Sequence, residues 1–165
     1  VFISYEYMEE HICNHVENKL DYSRIIKLPL GATTEVMKVD ALKSCYENID
    51  ISVSEYLMLF MFNPEDYNCG VMRVKKLDDL SNFSLTVDTD ADLTRTKDVI
   101  ENYDGDPVEI LLKEIIYLIN KGVVTNSFID DAAVLKMPYD KSMLYKEYKK
   151  MMNYRASKSE KFLIG

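Results

Sequence analysis

The sequence predicts a mixed α/β protein, in which short strands alternate with longer helices. Residues 69–74 and 85–87 are apolar enough for buried strands, and the segments around them carry apolar residues at helical spacing. The chain has 165 residues, of which 47% are hydrophobic, with only five Gly and four Pro. That composition suffices for a core of ordinary size, so we expect a sheet covered by helices.

The elements of the first half follow from apolar periodicity and from residues that begin or end helices. A Ser or Asp before an apolar run favours a helix start, and the residue before a proline disfavours helical backbone. The predicted order is a helix over residues 6–20, a turn at 28–31, a strand over 34–39, a helix capped by Asp40 and ending near Glu47, a helix from Ser52 or Ser54 to Asn63-Pro64, and a strand over 69–74.

The second half contains two helix starts. A threonine-aspartate pair at 89–90 can cap a helix over residues 91–102, directly after the 85–87 strand. The D-P dipeptide at 106–107 favours the start of a helix that the K-G dipeptide at 121–122 ends. A Tyr- and Lys-rich amphipathic helix is predicted over 142–154.

Asp88 stands where the 85–87 strand passes into the following helix. In open α/β sheets, ligands bind outside the carboxyl ends of the strands, and Mg²⁺ takes carboxylate oxygens together with substrate phosphate oxygens. Asp88 is therefore a candidate metal ligand. The alternative is that the aspartates of residues 88–92 only cap the helix, because acidic residues stabilise its first turn.

Several short motifs occur along the chain in the order found in one enzyme family. They are V-F-I-S-Y at 1–5, L-P-L-G at 28–31, E-V-M at 35–37, S-E-Y at 54–56 and L-T-V-D at 85–88. In this order they resemble the C-terminal half of the cytidylyltransferase-like family that includes spore-coat polysaccharide biosynthesis protein F and, more distantly, 3-deoxy-manno-octulosonate cytidylyltransferase. The resemblance covers roughly residues 1–120.

The resemblance implies both a fold and an activity. Residues 1–122 would form the C-terminal part of a nucleotide-diphospho-sugar transferase-like, Rossmann-like mixed sheet flanked by helices, and residues 123–165 a helical, basic extension. The activity would be transfer of CMP from CTP to a sugar, with Mg²⁺ and release of pyrophosphate, in the synthesis of polysaccharide or surface-glycan precursors. Asp88 and Asp92 would be metal ligands, and Glu35 and Glu55 would contact the sugar.

The chain also departs from the family pattern. Ser4 stands in place of the aspartate of a P-L-I-D-P segment, and Ser54 and Tyr56 replace the arginine and histidine that flank the retained Glu55. The family's first metal-binding aspartate and its nucleotide loop would precede Val1, so we expect the C-terminal piece of a longer protein, inactive or nearly so by itself.

These departures leave two other functions open. One is a non-catalytic interaction or dimerisation module, acting as a homodimer, that keeps the fold without the site. The other is a sugar-nucleotide-dependent glycosyltransferase, because residues 88–90 have the D-x-D form of the metal motif that such an enzyme needs.

Charge and hydropathy argue against two classes of partner. The formal net charge of −8 disfavours nonspecific binding to nucleic acid or to a membrane surface, both of which rely on clustered cations. The longest apolar runs are too short to span a bilayer and no signal peptide is recognisable, so we expect a cytoplasmic protein.

The basic residues cluster near the end of the chain. A helix with interleaved tyrosines there can contact a phosphate-bearing ligand or a partner chain, or it can be an exposed helix that offsets the acidic remainder.

The cysteines and histidines give weaker indications. The three cysteines are far apart and have no C-x-x-C spacing, which argues against a disulfide framework or a zinc site. His11 and His15 are four residues apart on a predicted helix, a spacing at which two imidazoles can share a metal. The alternative, which we favour, is that both are surface or interface residues.

Overall fold

In the computed structural model, which describes residues 2–125 and 127–165, the chain divides into two units. Unit 1 consists of Val1–Met8, Lys27–Thr34 and Leu77–Ile129, and unit 2 of Glu9–Ile26, Glu35–Lys76 and Asp130–Gly165. The chain passes between the units several times, so the domain boundary predicted at residue 122 does not separate them.

The described residues form six helices and six strands. The helices are α1 (Met8–Glu17), α2 (Val39–Asn48), α3 (Leu57–Met61), α4 (Asp90–Asn102), α5 (Leu112–Asn120) and α6 (Tyr145–Lys158), with 3₁₀ turns at Tyr5–Tyr7 and Ile51–Tyr56. The strands are β1 (Tyr22–Ile25), β2 (Glu35–Met37), β3 (Cys69–Val74), β4 (Val134–Met137), β5 (Lys141–Leu144) and β6 (Glu160–Ile164). None of these helices has the length and apolarity needed to cross a bilayer.

Unit 2 is built on a four-stranded sheet in the order β2-β1-β3-β6. Strand β1 pairs with β2 in antiparallel and with β3 in parallel orientation, and β3 pairs with β6 in parallel. The predicted class, a mixed α/β protein with helices flanking a sheet, is therefore confirmed. Strand β3 lies in the interior of the sheet, and its buried residues agree with its apolar sequence.

A hairpin and a small aromatic core complete unit 2. Strands β4 and β5 are joined by a turn in which Tyr139 and Asp140 both have positive φ, 60° and 55°. The core centres on Tyr22, whose ring stacks on Phe62 at a centroid distance of 5.5 Å. Around this pair pack Ala41, Cys45, Met61, Cys69, Val71 and Ala156.

Unit 1 is formed by α4, α5 and the segments that pack beside them. Its buried apolar residues are Leu28, Ala32, Leu80, Leu85, Val99, Ile110, Leu112, Ile115, Leu118 and Val124. The strand predicted over 85–87 does not form, because only one parallel bridge, Leu30 to Ser84, is made. Beyond it the Thr86 amide donates to the Ser84 hydroxyl and the Thr86 carbonyl accepts from Arg95, so side chains take the place of a neighbouring strand.

The predicted helix bounds are right for α4 and displaced elsewhere. Thr89 caps α4, as one of the two predicted caps. The helix expected from residue 107 begins only at Leu112, because the Asp106 side chain accepts from the Val108 amide and closes a local turn. Asp40 lies in the first turn of α2 instead of capping it.

Candidate functional site

Three of the segments that carry the family resemblance meet in unit 1. The Leu30 amide donates to the Phe83 carbonyl at 2.8 Å, and the Leu85 amide donates to the Leu30 carbonyl at 2.7 Å. On the other side of the turn, the amide and hydroxyl of Ser4 both donate to the Ala32 carbonyl, at 3.1 and 2.8 Å. Segments far apart in the sequence thus form one hydrogen-bonded layer. Along the chain, residue 88 comes directly after the last of these segments.

Gly31 is the point of closest approach in this layer. Its φ of +87° lies in the region that favours glycine, and a Cβ there would stand 2.8 Å from the Thr86 amide nitrogen. A side chain would therefore suffer both backbone strain and collision with a neighbouring backbone. The glycine of the L-P-L-G motif is what allows the turn to lie against residues 85–88.

We expect Gly31→Ala to destabilise the protein by clearly more than about 1 kcal/mol, because strain and collision add. Gly122→Ala is the matched control, since Gly122 has a φ of +74° but no atom lies within 4 Å of the place that a Cβ would take. It should show only the strain, about 1 kcal/mol. Urea denaturation of both variants tests this, and equal losses would show that contact with Thr86 is unimportant.

Asp92 is the polar centre of the turn that follows. Its Oδ2 atom accepts from the amides of Asp88 and Thr89 at 3.1 and 3.0 Å and from the Thr89 hydroxyl at 2.9 Å. The Thr89 hydroxyl in turn accepts from the Asp92 amide, which completes a capping box. Burial alone would raise the pKa of Asp92, but the hydrogen bonds from Thr89 and Asp88 and the charge of Arg95 lower it below its ordinary value.

Arg95 is a buried residue that contacts the same turn. Its side chain is 2% exposed, and its guanidinium lies 2.8 Å from Asp92 Oδ1 and also donates to the Thr86 carbonyl. One buried cation thereby links the segment before Asp88 to the helix cap after it. Our sequence analysis missed Arg95, although its spacing of three residues from Asp92 is that of a helical ion pair.

Asp88 itself is exposed, and its carboxylate is free of hydrogen bonds and ion pairs within the part of the chain that the structure describes. Its backbone amide donates to Asp92, so the turn that carries the exposed side chain is hydrogen-bonded to the start of α4. Comparisons of the chain with protein-family models, with curated proteins and with solved structures found no match. The assignment of a function therefore depends on the geometry of this turn and on the sequence motifs.

The fit of these carboxylates to Mg²⁺ differs between the two predicted ligands. Mg²⁺ is commonly held by one or two protein carboxylates together with substrate phosphates, and Asp88 fits the role of a single such ligand. Asp92 does not fit this role, because its Oδ2 atom already accepts hydrogen bonds from Asp88 and Thr89 and its Oδ1 atom is paired with Arg95. Among residues 2–125 and 127–165 no group of three His, Cys, Asp or Glu side chains could hold a metal by itself.

The two predicted sugar ligands, Glu35 and Glu55, belong to unit 2, whereas the aspartates belong to unit 1. Glu35 lies 3.9 Å from the Arg24 guanidinium and beside the buried hydroxyl of Tyr22. Glu55 is exposed in the 3₁₀ turn Ile51–Tyr56. The structure thus pairs Glu35 with a cation and leaves Glu55 at the surface.

The two histidines are buried, so our expectation of surface or interface residues is wrong. His11 and His15 are 0% and 5% exposed, and their rings lie 2.9 and 2.7 Å from the hydroxyl of Ser23. The four-residue spacing places both rings on the inward face of α1, where the Ser23 hydroxyl satisfies them. Since Ser23 is itself fully buried, this cluster is part of the core and offers no accessible nucleophile.

Proposed function

We propose that the chain is the C-terminal part of a cytidylyltransferase-like nucleotidyltransferase with a nucleotide-diphospho-sugar transferase-like fold. The observation that carries the proposal is the hydrogen-bonded layer of Ser4, Leu30 and Leu85, because it joins three separate motifs of the resemblance. Under this proposal the substrates are CTP and a sugar, and the products are the CMP-sugar and pyrophosphate.

Asp88 is the residue to which we assign metal binding. Mg²⁺, when bound, would neutralise charge that develops on the phosphate oxygens during transfer. Asp92 is a positioning residue in this proposal, because it fixes the Asp88 amide at 3.1 Å and has no oxygen left for a metal. Arg95 supports both by its ion pair to Asp92.

One observation favours the alternative, a non-catalytic interaction module. Ser4, at the position of the family's P-L-I-D-P aspartate, is 1% exposed, and its hydroxyl donates a hydrogen bond to the Ala32 carbonyl. A side chain so placed stabilises the layer and contacts no ligand. In such a module the hydrogen-bonded layer would be retained and the free carboxylate of Asp88 would bind no metal.

Calorimetric titration of CTP and of CMP, with and without Mg²⁺, tests the proposal on the chain and on two variants. We expect metal-dependent binding that Asp88→Ala weakens by roughly tenfold or more, because a carboxylate-cation contact is lost. Asp90→Ala is the matched variant, since Asp90 is an exposed acid in the same turn. It should bind as the original chain does.

The outcomes distinguish the nucleotidyltransferase, the glycosyltransferase and the interaction module. Equal losses in Asp88→Ala and Asp90→Ala would favour the D-x-D glycosyltransferase. Binding that neither variant alters, or no binding by a chain that circular dichroism shows to be folded, would contradict the nucleotidyltransferase and favour the interaction module. Asp92→Asn should lose both binding and stability, because the capping box costs about 0.5–2 kcal/mol when broken.

A further inference from the structure

Unit 2 contains an apolar pocket that neither the motifs nor the proposed function uses. It has a volume of about 470 Å³, within the range of about 300–1,000 Å³ typical of small-molecule sites. The hairpin β4–β5 and helix α6 line one side of it, and the region from α2 to α3 lines the other. Its apolar walls are formed by Ile49, Leu59, Phe60, Met137, Met143 and Met151.

A cation without a partner carboxylate stands at the edge of this pocket. Arg155 is half-buried, one of its N–H groups donates to the Leu59 carbonyl at 2.5 Å, and no acid of the described residues lies within ion-pair distance. Burial lowers the pKa of Arg155 below its ordinary value, as expected for a desolvated charge. The guanidinium remains charged, so an anion from outside would be stabilised there.

A second depression, of about 670 Å³, adjoins the first, and Arg155 borders both. Lys158, three residues further along α6, contributes a second cation to it, and Tyr154 contributes an aromatic face. Glu65 is the opposing acid in this depression, and Asp66 is the acid of the first pocket, where the Asn63 amide donates to it. An anionic group in this depression meets Arg155 and Lys158 on the α6 side, while the charge of Glu65, which also acts on Arg155, opposes it.

We propose that unit 2 binds a small amphiphilic anion, with its apolar body in the 470 Å³ pocket and a carboxylate or phosphate group against Arg155 and Lys158. The thioether and aromatic walls accept varied apolar shapes, and the planar guanidinium pairs with either head group through two N–H donors. All the residues involved belong to unit 2, so the proposal is independent of the function assigned to Asp88.

The test is calorimetric titration of four eight-carbon probes into the chain: octanoate, octyl phosphate, octan-1-ol and octylammonium. We expect the two anions to bind roughly tenfold more tightly than the alcohol and the ammonium compound, because only they gain a charge-assisted hydrogen bond. Acetate and inorganic phosphate, which lack the apolar body, should bind weakly. The tighter of the two anions identifies the head group.

Variants locate the site. Arg155→Gln should weaken octanoate or octyl phosphate binding by roughly tenfold, and Lys158→Gln should weaken it to a smaller extent. Lys146→Gln is the matched control, because Lys146 is an exposed cation of α6 that does not line either pocket. It should bind as the original chain does.

Three results would overturn the proposal: no binding of either anion, equal binding of octan-1-ol and octanoate, or equal losses in Arg155→Gln and Lys146→Gln. If Arg155→Gln fails to fold because the contact to Leu59 is lost, Lys158→Gln decides. Binding by Lys158→Gln that equals that of the original chain would then count against the site.

Discussion

Arg95→Met is expected to lower the free energy of unfolding by about 3 kcal/mol. The arginine is 2% exposed, and its guanidinium is shared between the Asp92 carboxylate and the Thr86 carbonyl. Methionine keeps the length and much of the apolar contact of the side chain but leaves both acceptors without this donor. A partly buried carboxylate and a backbone carbonyl that lose their partner account for a loss of this size.

The loss should also depend on pH. In the original chain the pKa of Asp92 is depressed, so the ionised carboxylate contributes stability that is present above its unfolded pKa and is lost as the pH falls through its folded pKa. Without the charge of Arg95 the folded pKa of Asp92 rises towards the unfolded value. The difference in stability between Arg95→Met and the original chain should therefore shrink below about pH 4.

Urea denaturation at pH 7 measures the effect, with Arg73→Met as the control. Arg73 is exposed on β3, and its replacement should change stability by no more than about 0.5 kcal/mol. A double-mutant cycle with Asp92→Asn should give a coupling of about 1 kcal/mol or more between the two side chains. A loss in Arg95→Met that matches Arg73→Met would mean that the buried guanidinium does not stabilise the turn.

Local signals in the sequence predicted those parts of the fold that depend on neighbouring residues. The apolar run that became β3 was predicted with its bounds, and Thr89 was among the predicted caps of α4. Gly122, expected to end a helix, has the positive φ typical of that position. The cap and the helix end depend on contacts within a few residues, and β3 is marked by its own apolar run.

Long-range pairing could not be predicted from the same signals. Strand β6, in the part of the chain expected to be a helical extension, pairs with β3, about 90 residues earlier. Its residues alternate too weakly in polarity to distinguish a strand from a helix end. The β4–β5 hairpin was missed because its turn places Tyr139 and Asp140 at positive φ, without the Asn-Gly or Asp-Gly signal of most such turns.

The candidate site was predicted in part. Asp88 stays a prediction from the sequence, and the structure leaves its carboxylate free in the described residues. Asp92 was assigned to the metal because spacing alone does not tell a ligand from a capping acid, and only the contacts to Thr89 and Arg95 make that distinction. Arg95 was missed because a fully buried arginine is rare and one of its two partners, Thr86, lies in the segment before the helix.

Lowering the pH from 7.5 to 5.0 is expected to reduce the free energy of unfolding by about 2 kcal/mol through His11 alone. The pKa of His11 is lowered from 6.5 to about 4, mainly by burial and also by the charge of His15, while the hydrogen bond with Ser23 acts in the opposite direction. Burial also lowers the pKa of His15, against the opposing effect of Asp21. The His11 imidazole is therefore neutral in the folded chain at pH 5.

The direction follows from proton binding. Because the folded pKa of each histidine lies below its unfolded value, the unfolded chain binds more protons than the folded chain between about pH 4 and 6.5. The stabilising effect of the neutral pair is complete above that range and is lost as the pH falls through it. Carboxylates contribute little above pH 5, so the measurement isolates the histidines.

The double variant His11→Gln/His15→Gln provides the control. Since the sequence contains two histidines, this variant removes every side chain whose ordinary pKa lies between 5 and 7. Glutamine retains a polar end for the Ser23 hydroxyl, and any packing loss is the same at every pH, so its stability should be nearly flat from pH 7.5 to 5.0. If the free energy of unfolding of the double variant falls with pH as steeply as that of the original chain, other groups cause the loss. If that of the original chain does not change with pH, the two imidazoles are accessible to protons in the folded state. Either result would contradict the buried cluster around Ser23.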